Sequence, residues 1–215
     1  MMCRPWNLCL SLCLVLASTL SLSPASTQER RQVKPVDQGD SSTNEEYDVL
    51  SALLNEIYLT GNYKSIVITN PTCCEVEDGY VRSAQWKIRY GDELEPVSVD
   101  TLDDYTARNK QSLTFEKKFK LKTNYKIVPY PDVEKLFPEN MPGMPEEGWK
   151  TFYSKYPGSN GYIRLSRVGF NKARDQAIVN TAWMRGPRYG NGSYVLLGKQ
   201  NGSWKVLKRV GSWIS

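Results

Sequence analysis

Tyr47, Leu50, Leu54, Ile57 and Tyr58 recur at the spacing of one helical face, and Thr43-Asn-Glu-Glu46 ahead of them has the spacing of a capping box. The pattern predicts an amphipathic helix that begins near Thr43 and ends at Gly61. The β-branched run Ser65 to Thr69, closed by Pro71, predicts a short buried strand. Gln85 to Tyr90 fits a strand or a helical turn. Ser98 or Asp100 followed by Leu102, Tyr105 and Ala107 predicts a second, shorter helix. Lys118, Lys120 and Lys122 alternate with Phe119 and Leu121 as in a half-buried strand. Those lysines serve as a solvated face or a guarded edge, or else they attract an acidic partner. Tyr125 to Tyr130 predicts a strand, Pro131 to Pro145 a Pro-rich loop, and Trp149 to Tyr153 a helical turn.

The last 55 or so residues change to a strand period. Tyr162 to Phe170, Gln176 to Arg185, Ser193 to Lys199 and Ser203 to Ile214 are strand candidates, separated by Asn171 to Asp175, Gly186 to Gly192 and Gln200-Asn201-Gly202. An Asn-Gly pair between two such runs signals a type I′ hairpin, which needs positive φ at both central residues. The expectation is an antiparallel meander with Tyr194, Leu196, Trp204, Val206 and Leu207 on its apolar face and Lys199, Lys205 and Lys208 in water. The fold class read from these elements is α+β: the N-terminal amphipathic helix and the second helix pack on one face of a mainly antiparallel sheet that ends in this four-stranded meander. A cone of the nuclear-transport-factor-2-like or cystatin-like kind is one form of that arrangement, by fold analogy.

Ahead of the first helix, Arg4 precedes an almost uncharged apolar run from Leu8 to Leu22, followed by the small residues Ser23, Ala25 and Ser26. This is the pattern of a secretory signal peptide. The run is shorter than the roughly 20 residues a membrane-spanning helix requires, and Pro24 interrupts any continuation. Cleavage is expected after Ala25. The domain plan is therefore a signal peptide over 1–25, a flexible leader over 26–42 rich in Ser, Gln, Asp, Arg and Pro, and a single α+β domain over 43–215. An exported location, periplasmic or secreted, follows, with no stable membrane insertion once the signal is removed.

Composition narrows the chemistry. The 215 residues carry a net charge of +5 and no histidine. Without an imidazole neither a Ser-His-Asp nor a Cys-His nucleophile can be built, and the commonest metal ligand is missing. No serine lies three residues ahead of a lysine, so the S-x-x-K pairing is absent as well, as are a P-loop and a G-x-G-x-x-G run. No cofactor and no metal site is expected. The modest basic excess makes no case for nucleic acid.

After Cys3, Cys9 and Cys13 in the signal, only the adjacent Cys73 and Cys74 remain. Their Cα atoms are held about 3.8 Å apart by one trans peptide, below the usual disulfide span of about 4.4 to 6.8 Å. An incidental structural pair, a strained vicinal ring, intermolecular bridges, and a redox or metal role all stay open. Asn191-Gly-Ser and Asn201-Gly-Ser match glycosylation acceptors, although turn chemistry already accounts for them.

Tyr156-Pro-Gly-Ser159, Gly161, Ser166-Arg-Val-Gly-Phe-Asn171, Gln176-Ala177, Tyr194-Val-Leu-Leu197, Asn201-Gly202, Trp204-Lys205 and Trp213-Ile-Ser215 together resemble the C-terminal module of a family of uncharacterised exported bacterial proteins. The likeness covers roughly the last 65 residues and is looser over the helix and strand upstream. It departs at Gly186-Pro-Arg-Tyr-Gly190, where some relatives carry a cysteine pair. The resemblance implies export and fold, and it carries over no catalytic or binding residue.

The module's residues have a structural reading: Gly158, Gly161, Gly190 and Gly192 suit turns, Arg164 and Arg167 line one strand face or pair with Asp175, and Trp204 and Trp213 enter the core. The functional reading places a ligand site in the concavity between sheet and helices, rimmed by Arg164, Arg167, Trp183, Arg185 and Tyr189, where guanidinium and aromatic groups suit a carbohydrate or an anion. The expected function is a noncatalytic binding or interaction domain of the cell envelope or exterior, whose partner is a small ligand, a glycan or a protein. The alternative is a carboxylate-based hydrolase of extracellular or cell-wall glycans drawing on Asp103, Asp104, Glu146, Glu147 or Asp175, since two acids can cleave a glycoside without histidine. An inhibitor or immunity-type partner of a secreted enzyme is a third.

Overall fold

A computed structural model describes residues 44–59, 61, 63–72, 93–137 and 145–215, which belong to one compact unit. The signal and leader segments, Thr43 of the capping box, Cys73, Cys74 and the segment 85–90 lie outside the described residues. The first helix, α1 (Asn44–Leu53), runs into a π-helical turn over Leu54–Tyr58. Strand β1 (Ser65–Asn70), helix α2 (Val99–Arg108) and strand β2 (Asn124–Pro129) follow. Next come the short α3 (Tyr130–Glu134), α4 (Glu146–Lys155), β3 (Ser159–Leu165) and the two-residue β4 (Gly169–Phe170). The chain closes with β5 (Gln176–Met184), β6 (Gly190–Gln200) and β7 (Ser203–Ile214). The fold is α+β, with a mixed, mostly antiparallel, open seven-stranded sheet ordered β2-β1-β3-β5-β6-β7, and β4 also on β5.

The sheet is buried on both sides, so the expected packing of the helices on one face is corrected. Ile66 and Ile68 of β1, Ile163 and Leu165 of β3, Ala177 and Val179 of β5, and Val195 and Leu197 of β6 join Leu50, Leu53 and Leu54 in one core on the α1 side. The alternate residues Ile178, Tyr194 and Leu196 meet Leu102 and Tyr105 of α2 on the other side. Val67, Val128 and Tyr162 meet Val133 of α3 and Trp149 and Phe152 of α4. Central strands with two dry faces read as continuous apolar runs, which is why Val195 and Leu197 escape a one-face assignment. β1 pairs in parallel with both β2 and β3, and parallel partners require the crossovers that contain α2, α3 and α4.

The lysine-bearing segment is not a strand. Phe119 is buried and Lys118, Lys120 and Lys122 are exposed, as the alternation requires, but the backbone pairs with side chains of the first helix. Glu116 N donates to Tyr47 Oη (2.6 Å), Lys120 N to Ser51 Oγ (2.9 Å) and Lys122 N to Asn55 Oδ1 (3.0 Å), while Asn55 Nδ2 donates to Lys120 O (2.9 Å). Tyr47, Ser51 and Asn55 stand four residues apart on one helical face, so the helix offers a row of side-chain acceptors in place of a neighbouring strand. α2 repeats the device. Its Asp100, Asp104 and Asn109 accept the amides of Lys172 (2.9 Å), Phe170 (2.8 Å) and Arg167 (2.9 Å). That row holds the break between β3 and β4 that splits the expected Tyr162 to Phe170 strand.

Other expectations meet local chemistry. Ser98 caps α2, accepting from Thr101 N. A short helix, Tyr130–Glu134, takes the last residue of the expected strand and the start of the expected Pro-rich loop, whose residues 138–144 lie outside the described set, and α4 extends beyond the expected turn. Asn201 and Gly202 take φ of 51° and 77°, the positive pair a type I′ turn needs. In β7 the register shifts opposite Leu196 and Leu197, and this bulge turns Leu207 out to 42% exposure while Trp204 and Val206 stay on the α1 core. Leu207 therefore leaves the apolar face assigned to it, and Tyr194 and Leu196, on the α2 side, do not share a face with Trp204 and Val206.

Burial pushes the phenols of Tyr58, whose Oη lies 2.9 Å from Thr181 Oγ1, and of Tyr162, in the α4 core, above their ordinary value of 10.0. Both folded-state values are raised, so this stability is present below pH 10.0 and is lost as pH climbs through the folded values. The urea midpoint is expected to fall steadily above that pH. Tyr58→Phe should cost about 1 kcal/mol at neutral pH and flatten the alkaline decline. An unchanged alkaline slope would show that Tyr58 ionises freely in the folded chain.

Candidate functional site

The turn after β5 is tightly held. Arg185 N donates to Tyr189 O (2.8 Å), and Tyr153 Oη of α4 donates to Arg185 O (2.6 Å). Beyond it, β6 and β7 pair up to Asn191 opposite Ile214, and Ser215 N donates to Gly190 O (3.0 Å). A second register shift, at Gly192 and Ser193, adds an extra residue to β7 and sets Trp213 opposite Gly192. A Cβ on Gly192 would stand 2.1 Å from Trp213 Nε1. Glycine is thus needed here because an indole lies against the strand, whereas Gly190 and Gly192, expected in a turn, both belong to β6.

Turn and strand ends border a cavity of about 430 Å³ that is largely open to solvent and is lined by residues 185, 188–193, 209, 211 and 213–215. Its charged side chains are Arg185, Arg188 and Arg209, and no Asp or Glu lines it. Arg209 is fixed by donation from Nε to Ser193 Oγ and from Nη2 to Asn191 Oδ1, both at 2.9 Å. The Arg185 guanidinium lies 4.3 Å over the Trp183 ring, and its Nε is buried with no hydrogen-bond partner. None of the three arginines has an ion-pair partner among the described residues. Tyr189 is 66% and Trp213 39% exposed at the rim. Guanidiniums with no ion-pair partner among the described residues attract an anion and can bind a carboxylate or phosphate with two parallel hydrogen bonds.

Of the residues expected to rim one site, Arg185 and Tyr189 line this cavity and the others do not. Arg164 stacks 4.1 Å over Tyr130, on the side of α3. Arg167 is buried in the break after β3, with Nη2 3.7 Å from Glu46 Oε2 and no pairing to Asp175. Trp183 lies beneath Arg185 and donates from Nε1 to Asn160 O (2.7 Å). The cavity sits at the sheet's end and draws on no helix for its lining. Arg188, Arg209 and Trp213 were missed. Arg188 fell in a segment read as a separator, and the bulges in β7 shift the faces on which alternation would place Arg209 and Trp213. Trp204 enters the core as expected, and Trp213 does not.

The candidate acids are dispersed. Asp104 Oδ2 accepts from Arg108 Nε and Phe170 N, both at 2.8 Å. Asp175 Oδ1 accepts from Asn171 Nδ2 (2.6 Å), and Glu146 pairs with Lys150 at 3.6 Å. Glu147 is exposed in the first turn of α4 and Asp103 is exposed on α2. Among the described residues no group of His, Cys, Asp and Glu is placed to hold a metal ion, and no helix is long and apolar enough to cross a membrane. No protein-family model, no curated protein and no solved structure matches this chain.

Proposed function

We propose that the chain is an exported, noncatalytic binding domain of the cell envelope or exterior, and that its ligand occupies the cavity at the β5–β6 turn. The observation that carries this reading is the convergence of Arg185, Arg188 and Arg209 on a cavity with no acidic side chain. Like charges held together oppose folding. They raise the local concentration of an anion and would be relieved by one. Export rests on the signal-like run from Leu8 to Leu22 and on the resemblance of the C-terminal module. The hydrolase alternative calls for two carboxyls about 5 to 9.5 Å apart across a cleft, and no acid lies at the cavity.

A ligand that binds the folded state raises its melting temperature. A thermal-shift screen of the chain from Ser26 onward against glycan fragments and small anions should give a saturable rise that Arg188→Gln removes, with the bound compound recovered unaltered. A rise that survives Arg188→Gln, a compound converted to product, or no rise across the screen would contradict the reading.

A further inference from the structure

We propose that the cavity takes an acidic saccharide, a sugar chain whose ring carboxylate meets the arginines while its apolar C–H face rests on Tyr189. This inference rests on the reading of the cavity as the ligand site. The two kinds of lining group set complementary demands. Guanidinium forks select a planar carboxylate or a phosphate, because their N–H groups match two oxygens at once. Arg209 is already oriented by Ser193 and Asn191 (2.9 Å each), so little side-chain freedom is lost when it engages an anion. Arg185, stacked on Trp183, keeps a buried Nε that has no hydrogen-bond partner among the described residues.

A small anion would leave the ring idle. Most of the large aromatics among the described residues are packed into cores, yet Tyr189 opens to solvent at 66%. Broad apolar faces with a polar edge suit a surface that is itself apolar on one side and hydroxylated at its rim. A pyranose ring has that character, and its hydroxyls can reach Asn191 and Ser193. The volume of about 430 Å³ lies within the range of pockets that enclose small ligands. A single-stranded nucleotide also combines charge with a flat face, but it needs a basic track running beyond one pocket. The lining charges here are confined to residues 185–209 at one end of the sheet.

Titration calorimetry with trigalacturonate, neutral maltotriose, inorganic phosphate and a thymidine trinucleotide separates these chemistries. Trigalacturonate should bind at least about tenfold more tightly than each of the others, and several-fold more weakly when salt rises from about 20 to about 200 mM. Arg188→Gln should weaken trigalacturonate about tenfold. Tyr189→Ala should weaken it several-fold and leave phosphate affinity unchanged, with melting curves confirming that each variant folds. Equal or tighter binding of maltotriose, phosphate or the trinucleotide would overturn the acidic saccharide. If such binding is still lost in Arg188→Gln, the cavity stands as a ligand site of another class. Heat from none of the four, or heat indifferent to both substitutions, would overturn the site together with its ligand.

Discussion

Glu46→Ala is expected to lower the unfolding free energy by about 3–5 kcal/mol, the usual cost of removing one partner of a buried charge cluster. Glu46 is fully buried, with Oε1 accepting from Val168 N (3.0 Å) and Oε2 lying 3.6 Å from Arg108 Nη1 and 3.7 Å from Arg167 Nη2. The substitution strips the counter-charge from the Arg167 side chain, which is 7% exposed, and orphans a buried amide in the β3–β4 break. Breaking the group is therefore costly, whatever the net value of having it. Urea unfolding of Glu46→Ala, alone and with Arg167→Met, measures this. The second substitution should restore part of the loss, because the unpaired charge leaves with it. A loss below about 1 kcal/mol for Glu46→Ala would show that solvent reaches the cluster.

Gly161→Ala should cost about 2–5 kcal/mol. Gly161 has φ +79°, and a Cβ there would stand 1.8 Å from Met184 O and 2.8 Å from Arg185 Cα. The left-handed backbone adds about 1–2 kcal/mol for a residue with a Cβ, and forced displacement of a packed neighbour adds about 1–3 kcal/mol. The neighbour is the β5 end that carries Arg185, so the variant should lose affinity at the cavity along with stability. Gly202→Ala makes the control. It shares positive φ (77°) but meets nothing within 4 Å, so it should pay only the backbone cost and spare the cavity. Equal losses in the two variants, read from urea midpoints, would remove the steric part of this account.

Elements whose fate is decided locally were legible in the sequence. The helical face of Tyr47, Leu50 and Leu54, the Ser98 cap and the Asn201-Gly202 turn each depend on neighbours within a few residues. What escaped depends on distant partners. The alternation of Phe119 and Leu121 with lysines correctly reports which residues face the core, but not whether a strand stands alongside. The partners are Tyr47, Ser51 and Asn55, about 70 residues away in the chain. Ile66-Val67-Ile68 signals a strand covered on both faces, and only the tertiary order puts parallel neighbours on each side of it.

Two of the five residues expected at one site share the cavity. Arg185 and Tyr189 reach the cavity because they flank a turn, whereas Arg164 and Arg167 were grouped with them by charge alone. Strand alternation puts Arg164 on the α3 side, and Glu46 draws Arg167 inward. Trp213 could not be placed without the bulge in β7, since one extra residue reverses the faces beyond it.

The most direct test of the cavity as the ligand site is an amide and arginine side-chain chemical-shift map of the ¹⁵N-labelled chain titrated with trigalacturonate. Saturable shifts concentrated at residues 185–193 and 209–215, with Arg185 Nε among the largest, are the expected result. Shifts centred on the α1 face or the lysine segment, or no saturable shift at all, would contradict it.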